Sequence, residues 1–277
     1  MNKPEILAPA GDMTCLQAAL DAGADAVYLG LEAFNMRARA SANLTRAELP
    51  EASRRCRERG VKLYLVLNTI VFEGELAAVE DMILFAKPYA DAFIVSDWGV
   101  IALCRKHGVA FHVSTQMSCS NSSAATFLKA QGASRVVLAR ECTLAEAARI
   151  AETAGIEVEA FVHGAQCVAE SGRCLLSHDA YGCSANRGEC HQPSRDQLST
   201  LTPSSSNTRS AVGAYVAFTR ASTSAGSPAT RELISPDCEY LRSGAMSSLR
   251  GLSLRETMFA SANVAMELDS AVKFALK

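Results

Sequence analysis

The chain has 277 residues, about half of them apolar and a fifth charged, with a formal net charge of −2. That length suits a single α/β barrel, and the composition is globular. The near-zero charge argues against a protein built around a general nucleic-acid-binding surface, although a local basic patch would suffice for one RNA contact. The first residues, MNKPEILAPAGD, show no secretory signal, and no apolar run reaches the ~18 residues of a membrane span, so the expected compartment is the cytoplasm.

Short apolar runs, each followed by an amphipathic stretch, alternate through the first two-thirds of the chain. The runs are Glu5–Ala8, Ala26–Leu31, Lys62–Asn68, Ala92–Ser96, Ala110–Ser114, Arg135–Ala139 and Val158–Val162. Nearly continuous apolar stretches of this length predict parallel strands buried on both faces. Between them, Met13–Ala22, Arg46–Arg59, Leu76–Ala86, Ala124–Gln131 and Leu144–Ala154 carry apolar residues at three- and four-residue steps, which predicts helices. Repeated strand–helix units predict a (β/α)8, TIM-barrel-like fold with an atypical or incomplete last unit. The strand ends carry Asn68, Asp97, Gln116, Glu141 and His163. In barrels these ends build the active site, but each such residue can equally cap the next helix.

Residues 1–195 are read as seven barrel units plus a cysteine-rich loop. Residues 196–234 are read as a Ser/Thr-rich loop or linker, because 14 of the 32 residues from Ser199 to Thr230 are Ser or Thr and none is acidic. Residues 235–277 are left for an atypical closing strand, Ser248–Leu254, and a helix, Met258–Leu276.

Of the ten cysteines, Cys15, Cys56, Cys104, Cys119 and Cys142 are scattered and read as small buried hydrophobes. Cys167, Cys174, Cys183 and Cys190 lie within 24 residues. Cys167 and Cys174 are spaced C-x6-C and Cys190 follows after fifteen intervening residues, which is not the spacing of a zinc knuckle. Thiolates gathered by glycine-rich turns suit an iron–sulfur cluster or another soft metal; a thiol nucleophile and inert cysteines are the other readings. His163 is a base, a ligand or a satisfied strand-end histidine. With Glu141, it is the candidate catalytic group.

The strings FVHGAQCVAESGRCLLS and SANRGECHQP, with EILAPAGD, AGADAVYLGL, LNT, STQMSCSN and VVLARE, resemble the U-thirty-two peptidase family, the collagenase-like proteases. The resemblance implies a barrel-like catalytic domain with one of two activities. One is peptidase action. The other is oxygen-independent hydroxylation of a tRNA or ribosomal RNA base, or of the ubiquinone ring, with a 4Fe-4S cluster and prephenate as hydroxyl source. It also implies Cys167, Cys174 and Cys190 as three cluster ligands. The RNA branches take their fourth from a Q-x-C-R motif, where this chain has Ser194. Cys238, in SPDC, corresponds to the downstream ligand of the ubiquinone-type members, and Cys183 is a nearby alternative. The family's lysine-isoleucine-glutamate-glycine-arginine run is replaced here by Leu249-Arg250-Gly251-Leu252-Ser253. Three expectations follow: an RNA-hydroxylating enzyme acting on RNA or a small molecule, a peptidase, or a non-catalytic barrel that binds a protein partner.

Overall fold

The computed structural model describes residues 4–36, 43–163, 167, 169–192 and 214–218. Eight strands close a barrel in sequential order. They are β1 (Glu5–Pro9), β2 (Ala26–Leu29), β3 (Lys62–Leu67), β4 (Ala92–Val95), β5 (Phe111–Val113), β6 (Arg135–Val137), β7 (Glu157–His163) and β8 (Ala214–Phe218). The first seven run parallel, and α1 (Met13–Asp21), α2 (Leu49–Glu58), α3 (Leu76–Ala86), α4 (Trp98–Lys106), α5 (Ser122–Ala130) and α6 (Leu144–Ala154) cross between them.

Each strand alternates between two apolar layers. Leu63, Leu65 and Leu67 of β3, with Phe93 and Val95 of β4, pack outward in the core shared with the helices. Tyr64 and Val66, with Ala92 and Ile94, point into the barrel beside Leu7 and Ala26. Burial on both faces is why these strands read as continuous apolar runs. Helix starts are set locally: Asp12 caps α1, Asn121 caps α5, and Thr143 with Glu146 forms a capping box on α6.

The closing strand differs from the sequence-based expectation. β8 comes from the stretch read as a Ser/Thr-rich loop or linker, and it pairs antiparallel with both β1 and β7. The last unit is therefore atypical in direction as well as position. Ser248–Leu254 and Met258–Leu276 lie outside the described residues. Ala214 pairs with His163, so β8 enters at the mouth formed by the C-terminal ends of the parallel strands, and Phe218 leaves beside Val158 at the opposite end.

That opposite end is plugged by charge. The Arg135 guanidinium is buried and reaches Glu5 at 2.8 Å, Glu157 at 3.0 Å and Glu159 at 3.3 Å. The Tyr64 hydroxyl donates to Glu5 at 2.9 Å, and the Tyr64 ring meets His112 edge-on at 4.6 Å between centroids. Arg135 and its partners hold Glu5 down at about 2 although burial opposes it. Burial dominates at Glu159 and pushes it up to about 7, because one guanidinium is shared among three carboxylates and Glu159 Oε1 has no partner. Burial also drops His112 to about 3, so it is neutral, with Nδ1 unpartnered.

Candidate functional site

The cysteine segment, described at Cys167 and from Ala169 to Cys190, lies as a strap against the loops after β3, β5 and β6 at the barrel mouth. It contains α7 (Leu176–Tyr181) and a 3-10 turn at Ala185–Arg187. Two anchors fasten it.

The first anchor is Ser171, which is buried. Its backbone N–H donates to Glu141 at 2.9 Å and its hydroxyl to the other Glu141 oxygen at 3.0 Å. The Arg140 N–H donates to Ser171 Oγ at 3.2 Å, and the Ser118 hydroxyl donates to the Ser171 carbonyl. Ser118 holds a left-handed φ of 53°, a conformation that costs a side-chain-bearing residue about 1 kcal/mol. Gly172 follows with φ 72°, and a Cβ there would stand 1.9 Å from the Gln116 carbonyl oxygen. Only glycine lets the strap lie this close to the loop after β5. Burial opposes ionisation of Glu141, but backbone donors and Ser171 outweigh it and hold the carboxyl below its usual range.

The second anchor is Arg187, which grips Glu75 through two nitrogens at 2.6 and 2.9 Å, a bidentate pair. Arg187 also donates to the Ile70 carbonyl at 2.9 Å, lies 4.5 Å over the Phe72 ring, and is joined by a backbone bond from Ile70 to Asn186 at 3.2 Å. The Arg187 hydrogen bonds bring the Glu75 carboxyl down to about 2. The strap is thus tied to the β5 and β6 loops at one end and to the β3–α3 loop at the other. Asn186 bridges the two anchors by donating to the Cys174 carbonyl at 3.3 Å.

All four strap thiols are unbridged; Cys167 and Cys190 are exposed, and Cys174 and Cys183 are half-buried. The Cys183 thiol contacts the Glu189 carbonyl at 3.5 Å. The donor chemistry, soft thiols carried on one fastened segment, fits an iron–sulfur cluster. Among the described residues no three His, Cys, Asp or Glu side chains stand close enough together to hold a metal ion, so loading such a group requires the thiols to draw together. Ser194 and Cys238 lie outside the described residues. His163 ends β7 at the mouth.

Other sequence-predicted residues resolve into structural roles. Asp97 caps α4 through Gly99 and Val100 and accepts from the Val71 N–H at 3.3 Å. Asn68 accepts from the Met36 N–H and donates to Ser114. Cys56, Cys104 and Cys119 are buried, and burial raises their thiols to about 11, about 12 and about 11; Cys15 is exposed. Sequence reasoning missed Glu75 and Arg187, 112 residues apart, and the Arg135 plug. The plug had a visible signal, since Arg135 and Glu159 are charges set inside otherwise apolar strand runs.

A model described as Peptidase family U32 matches residues 11–235. An uncharacterised protease of Methanocaldococcus jannaschii is 46% identical over 197 residues, which are 69% of this chain and 48% of that protein. A collagenase of Porphyromonas gingivalis is 40% identical over 69% of this chain and 49% of its own. The tRNA hydroxylation protein P1 of Bacillus subtilis is 40% identical over 70% of this chain and 46% of its own. The chain spans about half the length of these relatives. With the match running from α1 through the cysteine strap and the closing strand, the chain belongs to peptidase family U32.

Proposed function

We propose that this chain is the barrel part of an iron–sulfur enzyme that hydroxylates an RNA base without oxygen. The observation that carries the reading is the strap itself: three unbridged thiols, Cys167, Cys174 and Cys190, on one segment fastened over the barrel mouth. The hydroxylation protein among the relatives supports the RNA substrate. A bound cluster would supply one-electron chemistry at the mouth. Cys238 is proposed as the fourth ligand, and prephenate as the hydroxyl source on the family resemblance alone. No helix among the described residues is long and apolar enough to cross a membrane. An RNA substrate and a reducible cluster both suit the cytoplasm.

Within that reading, the chain's own residues have separable tasks. The strap, tied to the β3–α3 loop, carries the thiols. His163, at the end of β7, is the proposed proton-handling residue.

Anaerobically purified protein should be brown and carry about four irons and four sulfides per chain. Serine replacements at Cys167, Cys174 or Cys190 should abolish the colour. A colourless, iron-free anaerobic preparation would overturn the proposal. RNA from cells lacking the gene should also lose one hydroxylated nucleoside by mass spectrometry.

The protease and collagenase relatives favour a second reading, in which the exposed Cys167 thiol gives its proton to a base, attacks a peptide carbonyl and expels the protonated amine, and water then hydrolyses the thioester. Gelatin hydrolysis that persists after complete thiol alkylation would reject it.

A further inference from the structure

The two anchors stand in a fixed relation to the thiols. Ser171 is three residues before Cys174 and four after Cys167; Arg187 is three residues before Cys190. Each anchor is held by a carboxylate of the barrel proper, Glu141 in the loop between β6 and α6 and Glu75 before α3. The strap could otherwise swing freely, because α7 and the 3-10 turn are short and its apolar side chains Leu175, Leu176 and Tyr181 are exposed rather than packed into a core. Ala185 is the one buried apolar side chain among the strap's described residues, so the hydrogen-bonded and ionic anchors do most to fix the thiols. The anchors hold the strap to different loops of the mouth, one three residues before Cys174 and the other three residues before Cys190.

We infer that Glu75 and Glu141 are positioning residues, which hold the two halves of the strap at the separation from which Cys167, Cys174 and Cys190 close on one soft centre. Glu141 acts through Ser171, with both of its oxygens committed to the strap. Glu75 acts through Arg187. A bidentate pair fixes direction as well as distance, which a single lysine contact would not. The inference rests on the proposal that these three thiols share a ligand, but it makes a separate claim about how they are held.

The test uses arsenite, a soft trivalent probe that takes three thiolates, on the reduced full-length chain with Cys15 replaced by serine. The parent should bind one arsenite, and Cys174→Ser should lose that binding. Glu75→Gln and Glu141→Gln should each weaken binding at least tenfold, while circular dichroism and the melting temperature of the barrel stay near those of the parent. Arg187→Lys, which keeps the charge and loses the fork, should fall between. The charge exchange Glu75→Arg with Arg187→Glu should recover part of the affinity, because it restores the ion pair but not the Arg187 contacts to the Ile70 carbonyl and the Phe72 ring. Parent-like arsenite affinity in both glutamine variants would overturn the positioning role and leave the shared-ligand reading standing. A parent chain that binds no arsenite through Cys167, Cys174 and Cys190 would overturn both.

Discussion

Gly172 shows how one missing side chain fixes the strap. Its φ of 72° is left-handed, and a Cβ would meet the Gln116 backbone at 1.9 Å, a contact that no rotamer can relieve. Gly172→Ala must therefore lift the strap or distort the loop after β5. The left-handed penalty alone is about 1–2 kcal/mol, and the clash adds to it. The barrel does not depend on this contact, so the expected loss is local. Amide exchange at Ser171 should accelerate at least tenfold and protease should cut near Leu175–Tyr181, while the melting temperature moves little. Unchanged protection at Ser171 would show that the strap tolerates the Cβ. The turn at Gly172 was legible in the sequence only as one of the glycine-rich turns among the cysteines. What it turns against was not, because the Gln116 backbone is a partner only in three dimensions. The Glu75–Arg187 pair was hidden for the same reason: neither residue belongs to a local motif.

At the scale of elements, the strands were legible because parallel strands buried on both faces leave an uninterrupted apolar trace. Helices α3 and α6 were legible from their three- and four-residue periodicity and, for α6, from its Thr143–Glu146 box. β8 was not, because its five apolar residues sit inside a Ser/Thr-rich stretch whose composition dominates any window. The plug across β1, β6 and β7 was masked differently: a period-two reading assigns faces but does not pair charges between strands. Its energetics are asymmetric. Removing Arg135 leaves the buried Glu159 without a counter-charge and Glu5 with Lys62 alone, which costs about 3–5 kcal/mol. Arg135→Leu should therefore lower the denaturation midpoint sharply. Arg54→Ala, which breaks exposed and solvent-screened pairs on α2, should leave the denaturation midpoint nearly unchanged. Equal effects at the two sites would mean that the plug is solvated.

For the whole molecule, the plug fixes how stability responds to pH, through two buried groups acting in opposite directions. Glu159 rises from 4.5 unfolded to about 7 folded. The folded state then holds an extra proton between those values, so this group's contribution is complete below 4.5 and is lost as pH rises to 7. His112 falls from 6.5 to about 3, so the unfolded state holds the extra proton between those values, and stability is lost as pH falls from 6.5 to 3. Between about 4.5 and 6.5 the two slopes, each about 1.4 kcal/mol per pH unit, cancel and stability should be flat. Below 4.5 the Glu159 gain is exhausted, and His112 is joined by Glu5, whose contribution disappears as pH falls towards 2. The acid limb should therefore be steep. Glu159→Gln removes one slope and should give stability that climbs with pH up to about 6.5. His112→Gln removes the other and should leave stability that declines from 4.5 to 7. Melting curves of the three proteins across pH 3–8 decide the matter. A parent profile that climbs with pH up to about 6.5 as steeply as that of Glu159→Gln would mean that Glu159 stays ionised beside Arg135, with the guanidinium able to satisfy all three carboxylates at once.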